Sequence, residues 1–106
     1  MIGLEFLDGK TTYDELSNID IKNFKNDLEI LKEDMLQAKY DNDFIIDVGW
    51  YPSFDENGQF QVRVIKDHQW EPPLILLTAN TITELASKLQ TAQNIVNSRF
   101  TTENSK

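Results

Sequence analysis

Along residues 44–51 the chain alternates strictly: Phe44, Ile46, Val48 and Trp50 are separated by Ile45, Asp47, Gly49 and Tyr51. After a polar break the pattern returns, with Phe60, Val62 and Val64 separated by Gln61, Arg63 and Ile65. A period of two is what a strand with one buried face requires, so the two runs predict a β-hairpin. The break reads Asp55-Glu56-Asn57-Gly58-Gln59. A two-residue Asn-Gly loop would pair even with odd positions and send the apolar rows to opposite faces. A three-residue loop with Gly58 left-handed pairs Trp50 with Val64 and Phe54 with Phe60, so both rows face one core.

A different spacing precedes the hairpin. Ile21, Phe24, Leu28, Leu31, Met35 and Ala38 recur every three or four residues, predicting an amphipathic helix to about Tyr40. Asp20 is its expected cap, with Ile19 and Phe24 as a hydrophobic staple. Thr12-Tyr13-Asp14-Glu15 has the form of a capping box and predicts a short helix to about Ser17; Ile2, Leu4 and Phe6 suggest an opening strand.

Beyond the hairpin, Trp70-Glu71-Pro72-Pro73 cannot be helical, and Leu74 to Thr78 reads as a third strand. Its unbroken apolar run predicts cover on both faces or a central position. Pro52 has no amide to donate, so the first hairpin strand is expected to keep a free edge there. Thr81-Ile82-Thr83-Glu84 is a second capping box. The helix it opens carries Ile82, Leu85, Ala86, Leu89, Ala92, Ile95 and Val96 on one face and should end near Arg99. The expected fold is α+β: a small antiparallel sheet of three to four strands packed against two amphipathic helices, a single layer pair. Residues 1–100 form one domain and 101–106 a frayed tail.

Length and charge narrow the function. A chain of 106 residues, 40% of them apolar, supports one core without metal or disulfide help. There is no cysteine, which removes thiolate chemistry and fits a reducing, cytoplasmic setting. The N-terminal apolar run is short, interrupted by acids and not preceded by basic residues, so neither a secretion signal nor a membrane span is expected. The net charge of −8 is unevenly spread: residues 1–56 hold fourteen acids against five lysines, and residues 57–106 four acids against five bases. Nucleic acid and anionic membrane demand a basic footprint, so both are disfavoured as direct ligands, whereas a basic protein partner is favoured.

Catalytic chemistry finds little material. His68, the single histidine, stands beside Asp67 without a serine or cysteine nucleophile, and a second imidazole for a metal is lacking. Asp41-Asn42-Asp43 and Asp55-Glu56-Asn57-Gly58 lack the alternating acids and distal glutamate of a calcium loop and read as turns. The four glycines are too scattered for a phosphate loop. An Asp47–Asp67 carboxylate pair has no accompanying group to work with. No catalytic residue, metal site or cofactor is expected, and the chain reads as a non-enzyme.

Aromatic and acidic residues at the hairpin rim suggest binding instead. Trp50 belongs to the apolar row. Tyr51 lies on the opposite face, across from Arg63 in the expected register, where a cation–aromatic contact fits. The predicted partner-binding set is Asp41, Asp43, Asp47, Tyr51, Asp55 and Glu56, with Trp70 as an anchor.

The run Ile46-Asp47-Val48-Gly49-Trp50-Tyr51-Pro52, followed by Gly58-x-Phe60-x-Val62-x-Val64-Ile65-Lys66-Asp67-x-x-Trp70-x-x-Pro73, resembles small bacterial immunity proteins of polymorphic-toxin and contact-dependent growth inhibition systems. Such proteins share no binding motif, so no site residue carries over by position. The resemblance implies a cytoplasmic inhibitor that binds one cognate toxin domain and covers its active site. Such toxins are often nucleases and tend to be basic, which agrees with the acidic half of this chain. The alternative is a non-catalytic acidic accessory or regulatory subunit that binds a basic protein. A nucleic-acid mimic is a third reading, disfavoured by Lys22, Lys25, Lys32 and Lys39 among the acids.

Overall fold

The computed structural model describes residues 3–17, 19, 25 and 28–104, with the backbone alone for 100–104. Among the described residues five strands follow one another, β1 (Lys10–Asp14), β2 (Leu36–Tyr40), β3 (Phe44–Tyr51), β4 (Gln59–Lys66) and β5 (Ile75–Ala79), and one α-helix, α1 (Ile82–Asn104), closes the order. Each strand pairs antiparallel with the next, so sheet order equals chain order. The class is α+β, as the hydrophobic pattern predicts; the described residues hold more strands than expected and, of the two expected helices, α1. No helix among the described residues is long and apolar enough to cross a membrane.

The hairpin β3–β4 is the centre of the sheet. Phe44, Ile46, Val48, Trp50, Phe60, Val62 and Val64 all turn to one side and are buried there, so the predicted parity holds. The register does not. Trp50 pairs with Phe60, not Val64, and the connection takes residues 52–58. The Trp50 and Phe60 rings meet edge to face with centroids 4.9 Å apart, and the Trp50 indole donates to the Asp55 carbonyl at 2.7 Å. These contacts, not the turn residues, set the register. Phe54 takes the left-handed conformation, at φ 62°, that was expected of Gly58, whose φ is not positive. Gly58 is needed for space instead, because a Cβ there would sit 2.5 Å from the Trp50 indole nitrogen.

α1 starts where the second capping box predicts. The Glu84 amide donates to Thr81 Oγ1 at 3.1 Å, and that hydroxyl bonds the Glu84 carboxylate at 3.2 Å. Ile82, Leu85, Leu89, Ala92 and Val96 are buried against the sheet. The helix runs on past Arg99 to Asn104, into the segment read as a tail.

The predicted helix to Tyr40 is overturned from residue 28 onward. That stretch holds a short 3-10 turn at Leu28–Ile30 and then β2, in which Leu36, Ala38 and Tyr40 face the core while Gln37 and Lys39 face away. A strand there gains a ladder with β3 that an isolated helix cannot match, and tertiary pairing overrides local spacing. The expected cap Asp20 and staple partner Phe24 lie outside the described residues. Residues 3–8 are not a strand; Leu4, Phe6 and Leu7 pack on the core from a turn. Thr12 lies inside β1, not at a helix start. Asp14 instead accepts from the Leu16 and Ser17 amides at 2.8 and 2.9 Å, an Asx turn that ends the strand.

Two expectations about edges also fail. The C-terminal half of β3 is closed beside Pro52: the Trp50 amide donates to Lys32, the Phe54 amide to Leu31, and the Met35 amide to Val48. This approach requires Gly49, since any Cβ there would run into the Glu33 carbonyl. β5, predicted to be central or covered on both faces, is an edge strand, with Leu76 exposed on the side away from α1.

Candidate functional site

α1 packs on one side of the sheet, and among the described residues no helix covers the other. On that open side the register assembles a rung crossing all five strands: Tyr13 beside Gln37, then Asp47, Arg63 and Leu76. Each residue is there because of strand parity: the neighbours of Asp47 on β3 belong to the core, so Asp47 itself must point outward. Tyr13 and Leu76 at the ends of the rung are exposed, at 38% and 48%. Leu74 and Trp70, on the connection into β5, are exposed as well. Singly these would mean little, but together they fringe a polar centre on the side that α1 leaves free, where Ile45 and Ile65 are nonetheless buried.

That centre is unusual. Asp47 is only 6% exposed although it carries a carboxylate. Burial pushes its pKa up from 3.8 to about 6; the Gln37 hydrogen bond opposes this, the charge of Asp34 adds to it, and Arg63 counteracts it. Arg63 is the direct cross-strand partner of Asp47, yet it makes its ion pair elsewhere. Its Nη1 donates to Glu71 at 3.1 Å, its Nη2 to the Gln61 side chain at 2.9 Å, and its guanidinium lies 4.7 Å from the centre of the Tyr51 ring. Among the described residues Asp47 has no ion pair. It lines an open pocket of about 360 Å³ together with Tyr13, Asp34 and Gln37. Beside this pocket Glu15 and Lys32 pair at 2.8 Å and tie the end of β1 to the segment entering β2.

The predicted partner-binding residues do not form one patch. Asp47 and Tyr51 share the open face, and Tyr51 meets Arg63 as expected, although Tyr51 pairs with Gln59 and Arg63 with Asp47. Asp41 and Asp43 occupy the short turn before β3, and the Asp43 carbonyl accepts from the Asp67 amide in the connection that carries Trp70. Asp55 and Glu56 lie in the connection at the opposite end of β3. The eight residues of β3 put about 23 Å between these ends at roughly 3.3 Å per residue. Asp67 and His68 sit in an exposed left-handed turn past the end of β4, away from Asp47.

Sequence reasoning missed Tyr13, Asp34 and Gln37. Two signals point to Gln37 and to the segment carrying Asp34, and none to Tyr13. Leu36, Ala38 and Tyr40 alternate with Gln37 and Lys39, which places Gln37 outward on a strand; and a glycine inside the Phe44–Tyr51 run marks a close backbone approach by another segment.

A second polar cluster is structural. Gln93, 3% exposed on α1, accepts from the Asp8 amide and the Tyr40 hydroxyl, each at 2.6 Å, and donates to the Phe6 carbonyl at 2.8 Å. It fastens residues 6–8 and β2 to the helix. No protein-family model matches the chain, and neither does any curated protein or solved structure.

Proposed function

We propose that the chain is an immunity protein: a non-catalytic cytoplasmic inhibitor that binds a cognate basic toxin domain and covers its active site. One observation carries the reading. A rung of aromatic, polar and apolar side chains crosses the open sheet face around a buried acid, and no helix among the described residues covers it. Exposed Tyr, Trp and Leu around a desolvated charge have the composition of an interface core, where aromatic anchors contribute most of the affinity. The concentration of acids in residues 1–56 supplies long-range attraction to a basic partner. Asp41, Asp43, Asp55 and Glu56 at the two ends of β3 act mainly in steering, since exposed charges contribute little affinity individually.

Capture from the native host tests this. The tagged protein should retain one basic protein domain whose expression is toxic alone and harmless beside the inhibitor. Leu76→Asp, at an exposed edge position, should abolish capture while leaving the melting transition in place. A retained partner that is neither toxic nor inhibited would favour the accessory-subunit alternative, and undiminished capture by Leu76→Asp would move the interface off the open face.

A further inference from the structure

We propose that the pocket between Tyr13, Asp34, Gln37 and Asp47 seats one basic side chain, a lysine or arginine, projected by the partner protein. The proposal rests on the immunity reading and specifies its central contact.

The first support is Asp47 itself, a residue only 6% exposed that lines an open pocket and has no ion pair among the described residues. A cation is available next door, but Arg63 is held by Glu71, Gln61 and the Tyr51 ring. Gln37 acts on Asp47 as a hydrogen-bond partner, and both line the pocket. Asp34 lines the same space, so two acids share a pocket whose neighbouring cations, Lys32 and Arg63, are paired with Glu15 and Glu71. Such a site favours an incoming positive charge strongly, because the acid is already desolvated and its cost has been met in the free protein.

The shape selects among cations. A volume of about 360 Å³ takes the end of a lysine or arginine with accompanying water. Tyr13, 38% exposed and lining the pocket, supplies an aromatic ring of the kind that guanidinium and ammonium groups favour. A divalent metal is disfavoured: no group of three or more His, Asp or Glu residues able to hold one occurs among the described residues.

Two experiments separate this proposal from the immunity reading. The first needs no toxin. Ethylguanidinium chloride is titrated into the isotopically labelled protein against sodium chloride and N-ethylurea controls. Saturable resonance shifts should centre on Tyr13, Asp34, Gln37 and Asp47, vanish in Asp47→Asn, and be absent with the neutral urea. Shifts that are diffuse, missing, or unchanged in Asp47→Asn overturn the pocket. The second uses the captured partner. Asp47→Asn should weaken binding by about 30-fold or more, mostly through faster dissociation, as expected when one member of a buried charge pair is removed. Asp41→Asn with Asp43→Asn should change it by less than about threefold. Parental affinity in a folded Asp47→Asn protein overturns the proposal but leaves the immunity reading standing. Failure to capture any partner overturns the immunity reading, and the ethylguanidinium titration then decides the pocket alone.

Discussion

Replacing Asp47 by Asn should make the free protein more stable, and by an amount that depends on pH. The native carboxyl titrates near 6 against an ordinary 3.8, because burial disfavours its charged form. Asp34 reinforces that effect, while Gln37 and Arg63 only partly offset it. At about 1.4 kcal/mol per pH unit, the two-unit rise corresponds to about 3 kcal/mol. The sign follows from the direction of the shift. Well below pH 3.8 the group is protonated in both folded and unfolded chains and contributes no penalty. Between about 4 and 6 the unfolded chain releases a proton that the folded protein retains, so folding loses stability as pH rises. Above about 6 the full penalty is in place. Urea unfolding of both proteins at pH 4, 5, 6, 7 and 8 measures it. The stability difference, Asp47→Asn minus parent, should grow by about 2–2.5 kcal/mol across the range, with most of the change between pH 4 and 6. The amide's altered hydrogen bonding adds only a constant offset, and the other titrating groups largely cancel in the difference. A flat difference, or an Asp47 carboxyl resonance titrating near 4, would refute the claim that this acid is held at a cost.

Other outcomes follow from particular contacts. Gly49→Ala drives a methyl into the Glu33 carbonyl and should cost about 2–3 kcal/mol in urea unfolding, in the upper range for overpacking. Gln93→Leu leaves the Asp8 amide and Tyr40 hydroxyl without their shared acceptor; it should destabilise by about 2 kcal/mol or more and raise hydrogen exchange at the Asp8 amide. Charge reversal at Asp41 with Asp43, and at Asp55 with Glu56, should mainly slow association with the captured partner. Because the two pairs lie at opposite ends of β3, the effects should differ in size, and equal losses of affinity would count against a single interface on the open face.

Local rules account for much of this fold. The alternation in 44–51 and 60–65 specifies two strands with their apolar rows on one side, since strand periodicity is a property of the backbone. The Thr81 capping box and the apolar spacing that follows specify α1 for a similar reason: cap and stripe lie within the helix they define. The outward position of Asp47 is likewise legible, as is its nearness to Tyr51.

What the sequence leaves open is decided by partners distant along the chain. Leu31, Met35 and Ala38 satisfy helical spacing, and Leu36, Ala38 and Tyr40 satisfy strand spacing; pairing with β3, together with the gap at Gly49, selects the strand. An apolar run such as Ile75 to Leu77 reads the same at an edge as at the centre of a sheet, and only the strand order tells them apart. The Trp50–Phe60 contact chooses a register that the Asp-Glu-Asn-Gly turn does not imply. The character of Asp47 depends on the same long-range assembly. Its pocket is built from β1, the segment entering β2, and β2 itself, and its neighbouring arginine is drawn away by Glu71. Desolvation and charge act through space, so a carboxylate ordinary in the sequence becomes a buried one with a raised pKa only when the sheet closes around it.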